Sequence, residues 1–137
     1  MRYTPSPGPG KILVVERDPS VAMFVETVLG TWEAFEVTAV SNASEALALI
    51  EYEPWDLVLA DFELPDAQAL RLLSIIRAEA PRLPFAMITA HPVLPATADA
   101  LGAADGFITK PLRPSALIGL ATGLIEQSRW SQEQADG

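Results

Sequence analysis

Four short apolar runs in this 137-residue chain each end on a residue that can do chemistry. Lys11-Ile12-Leu13-Val14-Val15 runs into Glu16-Arg17-Asp18, and Asp56-Leu57-Val58-Leu59-Ala60 delivers Asp61. Phe85-Ala86-Met87-Ile88 ends at Thr89, and Gly106-Phe107-Ile108 leads into Thr109-Lys110-Pro111. If these runs are neighbouring strands, a carboxylate, a hydroxyl and an ammonium meet at their carboxyl ends. Such a set can hold a phosphoryl group, with Asp61 as nucleophile and Thr89 and Lys110 as donors to its oxygens. A divalent metal held by hard oxygen ligands would normally complete the charge balance.

The elements that must position these residues follow from hydrophobic period. The runs are continuous and rich in β-branched residues, the pattern of strands covered on both faces. Phe35 to Val40 reads as one more strand, second in chain order. Between the strands lie amphipathic stretches. Asp18-Pro19 caps a first helix, with Val21, Phe24, Val25, Val28 and Leu29 on its apolar face and Gly30 at its close. Ser41 to Ser44 offer caps for a second helix, striped by Ala43, Ala46, Leu47 and Ile50 and stopped by Pro54. After the Leu64-Pro65-Asp66 turn, Ala69, Leu70, Leu73 and Ile76 pattern a third helix up to Pro81. A short fourth helix is expected over roughly Ala96 to Ala104, and a fifth from about Ser115 to Gln127, with Leu117, Leu120, Ala121, Leu124 and Ile125 inward. Gly119 and Gly123 weaken this last helix, which would suit close packing or a partner's approach. Strands alternating with helices make a (βα)₅ chain: an α/β protein with a doubly wound parallel five-stranded sheet, whose ligand site lies outside the carboxyl ends of the strands.

Composition narrows the chemistry. Half the residues are apolar and mean hydropathy is +0.24, so the chain can bury a core and general disorder is excluded. Eighteen acids against nine bases give a net charge of −9, which repels phosphate backbones, so no direct nucleic-acid partner is expected. Without cysteine there is no disulfide or thiolate site, and the single His91 is read as a surface loop residue without a role. No apolar run approaches the roughly 18 residues that cross a bilayer, so no membrane partner and a cytoplasmic location are expected. Residues 1–10, rich in Pro and Gly, read as a flexible tail, residues 11–128 as one domain, and residues 129–137 as a polar C-terminal tail.

Residues 11 to about 127 resemble the receiver domain of two-component response regulators. The resemblance is carried by Ile12-Leu13-Val14-Val15-Glu16-Arg17-Asp18-Pro19, by Trp55 to Asp61 with Leu64-Pro65-Asp66, by Ile88-Thr89-Ala90-His91, and by Gly106-Phe107-Ile108-Thr109-Lys110-Pro111. It implies the flavodoxin-like receiver fold with strand order 2-1-3-4-5. It further implies that Asp61 is the phosphoacceptor, Thr89 the switch hydroxyl, Lys110 the phosphate-binding cation and Phe107 the rotating aromatic of the output face. Mg2+ would be held by Glu16, Asp61 and the backbone carbonyl of Glu63, and a cis peptide is often found where Lys110 meets Pro111. One departure touches the chemistry: the family usually has two adjacent acids after the first strand, and here the second is Arg17, which puts the metal in doubt. Arg17 either pairs with Asp61, supplying part of the metal's charge, or points to solvent.

The resemblance implies a phosphorylated receiver, fed by a sensor histidine kinase or phosphotransfer protein. It would signal to a downstream protein, or dimerise, through the face of the fourth helix, fifth strand and fifth helix. It would not be an enzyme beyond self-catalysed phosphoryl transfer to and from Asp61. The alternative, which Arg17 favours, is a phosphorylation-independent pseudo-receiver serving as an interaction or dimerisation module. A flavodoxin-like nucleotide or flavin binder would need a glycine- or hydroxyl-rich loop after the first strand, and Glu16-Arg17-Asp18-Pro19 is acidic and stiff instead.

Overall fold

The apolar runs become strands because each is covered on both faces. The computed structural model describes residues 8–64, 69–90 and 104–136. In it β1 (Lys11–Val15), β2 (Glu36–Val40), β3 (Leu57–Asp61), β4 (Phe85–Thr89) and β5 (Gly106–Thr109) form one parallel sheet in the order β2-β1-β3-β4-β5, as expected. Alternate side chains divide the core in two. Leu13, Val15, Val58, Ala60, Phe85 and Met87 meet Ala43 and Ala46 of α2 (Ala43–Tyr52) and Leu72, Leu73 and Ile76 of α3 (Ala69–Glu79). Ile12, Val14, Leu57, Leu59, Ala86 and Ile88 meet Val25, Val28 and Leu29 after β1, and Leu117, Ala121 and Ile125 of α4 (Pro114–Asp136). The expected fourth helix, the Pro65-Asp66 turn, His91 and residues 1–7 of the expected tail lie outside the described residues, Ala104 excepted. The last helix is therefore α4.

The caps read from the sequence are in place. Asp18 accepts from the Ser20 N–H at 2.9 Å with Pro19 opening α1 (Pro19–Val25), and Asn42 accepts from the Glu45 N–H at 2.9 Å to open α2. The close of the first helix differs from expectation. Gly30 does not end it: α1 runs on into wider π-helical turns over Glu26–Trp32, and the left-handed residue that ends the helix is Ala34, at φ 62°. The Phe35 N–H then returns to the Leu29 carbonyl at 2.9 Å, which seats Phe35 in the core at 7% exposure. Burying a phenylalanine contributes about 2 to 3 kcal/mol, more than the roughly 1 to 2 kcal/mol that a left-handed alanine costs.

The second correction is at the C-terminus, where a polar tail was expected from residue 129 and α4 instead continues through Asp136. Ile125, Arg129 and Gln132 share one helix face, and that face is covered. Arg129 reaches the Gly8 carbonyl at 3.0 Å and Asp56 at 4.0 Å, while Gln132 is buried. Long polar side chains carry this packing with their stems, so hydrophobic period does not register it. Neither Gly119 nor Gly123 has an atom within 4 Å of where a Cβ would stand, so neither marks close packing within the described residues.

The amino ends of the strands are tied by fixed charge. Asp56 accepts from the Lys11 N–H at 2.7 Å, and Asp105 takes both Arg77 at 2.6 Å and the Phe85 N–H at 2.8 Å. Gly10 sits at this end with φ 135°, and a Cβ there would stand 3.3 Å from both Asp56 Oδ2 and Ile125 Cδ1. Gly10→Ala is therefore expected to lower stability by about 1 to 3 kcal/mol, read in urea melts as a lower midpoint at an unchanged slope. An unshifted midpoint would show that this junction is slack.

Candidate functional site

At the opposite end of the sheet the strand alternation runs past the last ladder residues. Glu16 continues the series of Ile12 and Val14, and Asp61 that of Leu57 and Leu59, so both carboxylates emerge on the same side of the sheet. Both are buried: the Glu16 side chain is fully covered and that of Asp61 is 6% exposed. Lys110, one residue beyond β5 and joined to Pro111 by a cis peptide, brings its ammonium between them. Its Nζ stands 3.4 Å from Glu16 Oε1 and 3.3 Å from Asp61 Oδ2. The turn backbone supplies the remaining donors: the Asp18 N–H to Glu16 Oε1 at 3.1 Å and the Glu63 N–H to Asp61 Oδ1 at 2.9 Å. Glu16 Oε2 is buried and has no hydrogen-bond partner among the described residues.

Thr89, also buried, ends the strand next to β3. Asp61 pairs in register with Ile88, and Thr89 with Thr109, so Asp61, Thr89 and Lys110 form a rising step across three strands. Phe107 is outward on β5 and more than half exposed.

Arg17 does not meet Asp61. Its guanidinium pairs instead with Glu63 at 3.6 Å, both side chains more than half exposed, so of the two placements left open it takes the solvent side, with an acid partner at the rim. Lys110 approaches from the strand end and already holds the inner position, while Arg17 starts from a bend outside β1. The Glu63 side chain is the member of the site that the sequence reading missed, since that reading used only its backbone carbonyl. Its signal was its position two residues after Asp61.

A family model for the response regulator receiver domain matches residues 12–122. The chain belongs to that family. The receiver is 38% identical over 103 residues to the response regulator protein PilR of Pseudomonas aeruginosa, an alignment covering 74% of this chain and 23% of PilR. It is 35% identical over 122 residues to the DNA-binding transcriptional regulator NtrC of Proteus hauseri, covering 88% of this chain and 25% of NtrC. The receiver thus spans about a quarter of these relatives. The crystal structure of a CheY-like receiver domain protein from Methanospirillum hungatei superposes with a TM-score of 0.81 at 30% identity, over 88% of this chain and 97% of that one. No helix among the described residues is long and apolar enough to cross a membrane.

The electrostatics of the receiver's pocket follow from its burial. Burial pushes the Glu16 carboxyl up from 4.5 to about 7, and contact with Asp61 pushes the same way, against the smaller pull of the Asp18 N–H and Lys110. Burial also pulls Lys110 down, but the facing Glu16 and Asp61 carboxylates outweigh it and hold the ammonium above its ordinary value. Because the folded state raises the Glu16 value, the stability its neutral form contributes is full below pH 4.5 and is lost as pH rises through about 7. The loss amounts to at most about 3 kcal/mol. Urea melts across that window should show the wild type losing stability with rising pH while Glu16→Gln, neutral throughout, stays comparatively flat. Parallel profiles would refute the assignment.

Proposed function

We propose that this receiver takes a phosphoryl group on Asp61 and uses it to change a protein contact. The observation that carries the reading is the presentation of the Asp61 carboxylate: one oxygen is held by the Glu63 N–H, the other by the Lys110 ammonium, in a pocket at the carboxyl end of the central strand. In the transfer an Asp61 oxygen attacks the donor's phosphorus. The new bond is an acyl phosphate, and the bond from phosphorus to the donor's nitrogen or oxygen breaks, its electron pair leaving with the donor. Lys110 then follows the negative charge onto the phosphoryl oxygens. Transfer to Asp61 and its later hydrolysis are the extent of the catalysis in this reading.

The donor is a sensor histidine kinase or a phosphotransfer protein, acting in the cytoplasm. Thr89, one step from Asp61 in the sheet, is the hydroxyl that a phosphoryl group would draw inward, and the exposed Phe107 lies on the same edge of the molecule as α4. The output is a population shift in the face built on β5 and α4, read by a target protein or a second copy. The DNA binding named for NtrC belongs to a protein of which this chain covers a quarter. The expectation of no nucleic-acid partner fits such whole relatives poorly, and we restrict it to the acidic receiver itself.

Arg17 favours the second reading, a constitutive interaction module that has kept Asp61 without phosphoryl control. Intact mass after incubation with acetyl phosphate separates the two. A single phosphoryl adduct on the wild type, absent from Asp61→Asn, is the expected result. The absence of an adduct under conditions that label another receiver, with a partner bound equally by wild type and Asp61→Asn, would establish the module instead.

A further inference from the structure

The pocket sets two buried acids against one inner ammonium, and cations already stand where a divalent ion would have to. Among the described residues, three of the four oxygens on Glu16 and Asp61 accept from Lys110 or from backbone N–H groups, and Lys110 bridges the two carboxylates. Among the described residues no three acids or imidazoles come together as a metal site. A magnesium ion keeps several waters and is held in near-ideal octahedral geometry through one or two carboxylates, which must be free to face it. The residue following Glu16, where a further acid would complete such a set, is a fixed cation. The Glu63 carbonyl alone is left beside two carboxylates that share the Lys110 ammonium, with Arg17 at the rim, and this set does not fit a divalent ion.

Arg17 is placed to do something else. It leaves the end of β1 and reaches Glu63, two residues beyond Asp61, so its guanidinium spans the mouth of the pocket from one turn to the next. The pair it makes there is weak by construction: the separation is 3.6 Å and the two side chains are 57% and 59% exposed, a setting in which ion pairs hold little. Moving Arg17 off Glu63 therefore costs little. A phosphoryl group arriving on Asp61 brings oxygens to the same mouth, and a guanidinium's planar fork matches two of them at once.

We propose that Arg17 stands where this pocket would otherwise need magnesium: it rests on Glu63 while Asp61 is free and moves to the phosphoryl oxygens when Asp61 is modified, with Lys110 as the inner cation throughout. The exclusion of magnesium stands on the donors alone, whereas the movement of Arg17 rests on the reading of Asp61 as phosphoacceptor. The neutralisation is the protein's own, and magnesium is not a participant.

The test uses the full chain at a pH well above the titration of Glu16. Magnesium chloride is titrated by calorimetry into the wild type, Arg17→Asp and Arg17→Gln, with circular dichroism to verify that each is folded. The wild type should show no saturation below about 1 mM, and Arg17→Asp should bind at least about tenfold more tightly than the wild type. Arg17→Gln, which removes the charge without adding a ligand, should gain less than Arg17→Asp. Saturation of the wild type below about 1 mM would overturn the proposal, as would an Arg17→Asp variant that gains nothing. Acetyl phosphate labelling in excess EDTA and in magnesium forms the second arm. Equal labelling is expected, with Arg17→Gln labelling more slowly in EDTA. Labelling that requires magnesium would overturn the Arg17 role while leaving Asp61 as the acceptor. No labelling in either buffer would sink the phosphoacceptor reading and with it the movement of Arg17, while the calorimetry would still decide whether magnesium is excluded.

Discussion

One ammonium group between two buried carboxylates is the interaction on which the carboxyl end of this sheet depends. Taking Glu16 and Asp61 out of water costs several kcal/mol each, and only a cation at hydrogen-bond distance makes that burial tolerable. Lys110 can be that cation because β5 lies on the sheet edge two strands from β3, and because its chain turns inward immediately after the last ladder residue. The arrangement holds with little margin. One ammonium serves two acids, a carboxylate oxygen has no partner among the described residues, and Glu16 is driven toward neutrality. A folded protein tolerates such a deficit where chemistry requires it and removes it elsewhere.

The other end of the same sheet shows what removal looks like. Asp56, which is buried, and Asp105, which is exposed, each take a backbone N–H, and each has an arginine beside it, so the acids at this end are paired with fixed cations. Lys11 does the same with Glu53 at 2.7 Å while lying over the Trp55 ring. Paired charge ties the amino ends of the strands together, and the two buried carboxylates that share one ammonium stand at the ends where a ligand can answer them. A doubly wound sheet separates these tasks without further device, since its parallel strands all present their carboxyl ends on one side.

Most of the fold is legible in the residues because the rules involved are local. Continuous runs such as Phe85 to Ile88 are buried on both faces, and Asp18 and Asn42 do what short polar side chains do before a helix. What escaped was long-range or polar. Ala34 holds a left-handed turn because Phe35 is worth seating, an energy balance that involves Leu29 and the far side of the core. Residues 129 to 136 carry no apolar stripe, yet they remain helical, with Gln132 buried and Arg129 reaching Asp56 just ahead of β3. Periodicity measures apolar atoms, and the stems of polar side chains are invisible to it.

The site divides the same way. Sequence alone determined which residues stand at the strand ends, because a strand's length and its period of two are written in the apolar run that precedes each of them. It thereby determined that Glu16, Asp61, Thr89 and Lys110 share one end of one sheet. Tertiary structure decided the pairing. Lys110 and Arg17 carry the same charge, and nothing in their spacing says which of them reaches Asp61. That depends on the path by which each side chain enters: Lys110 comes inward from the end of β5, and Arg17 crosses the exposed rim to Glu63. Charge is a property of the residue, but the distance over which it acts belongs to the folded chain.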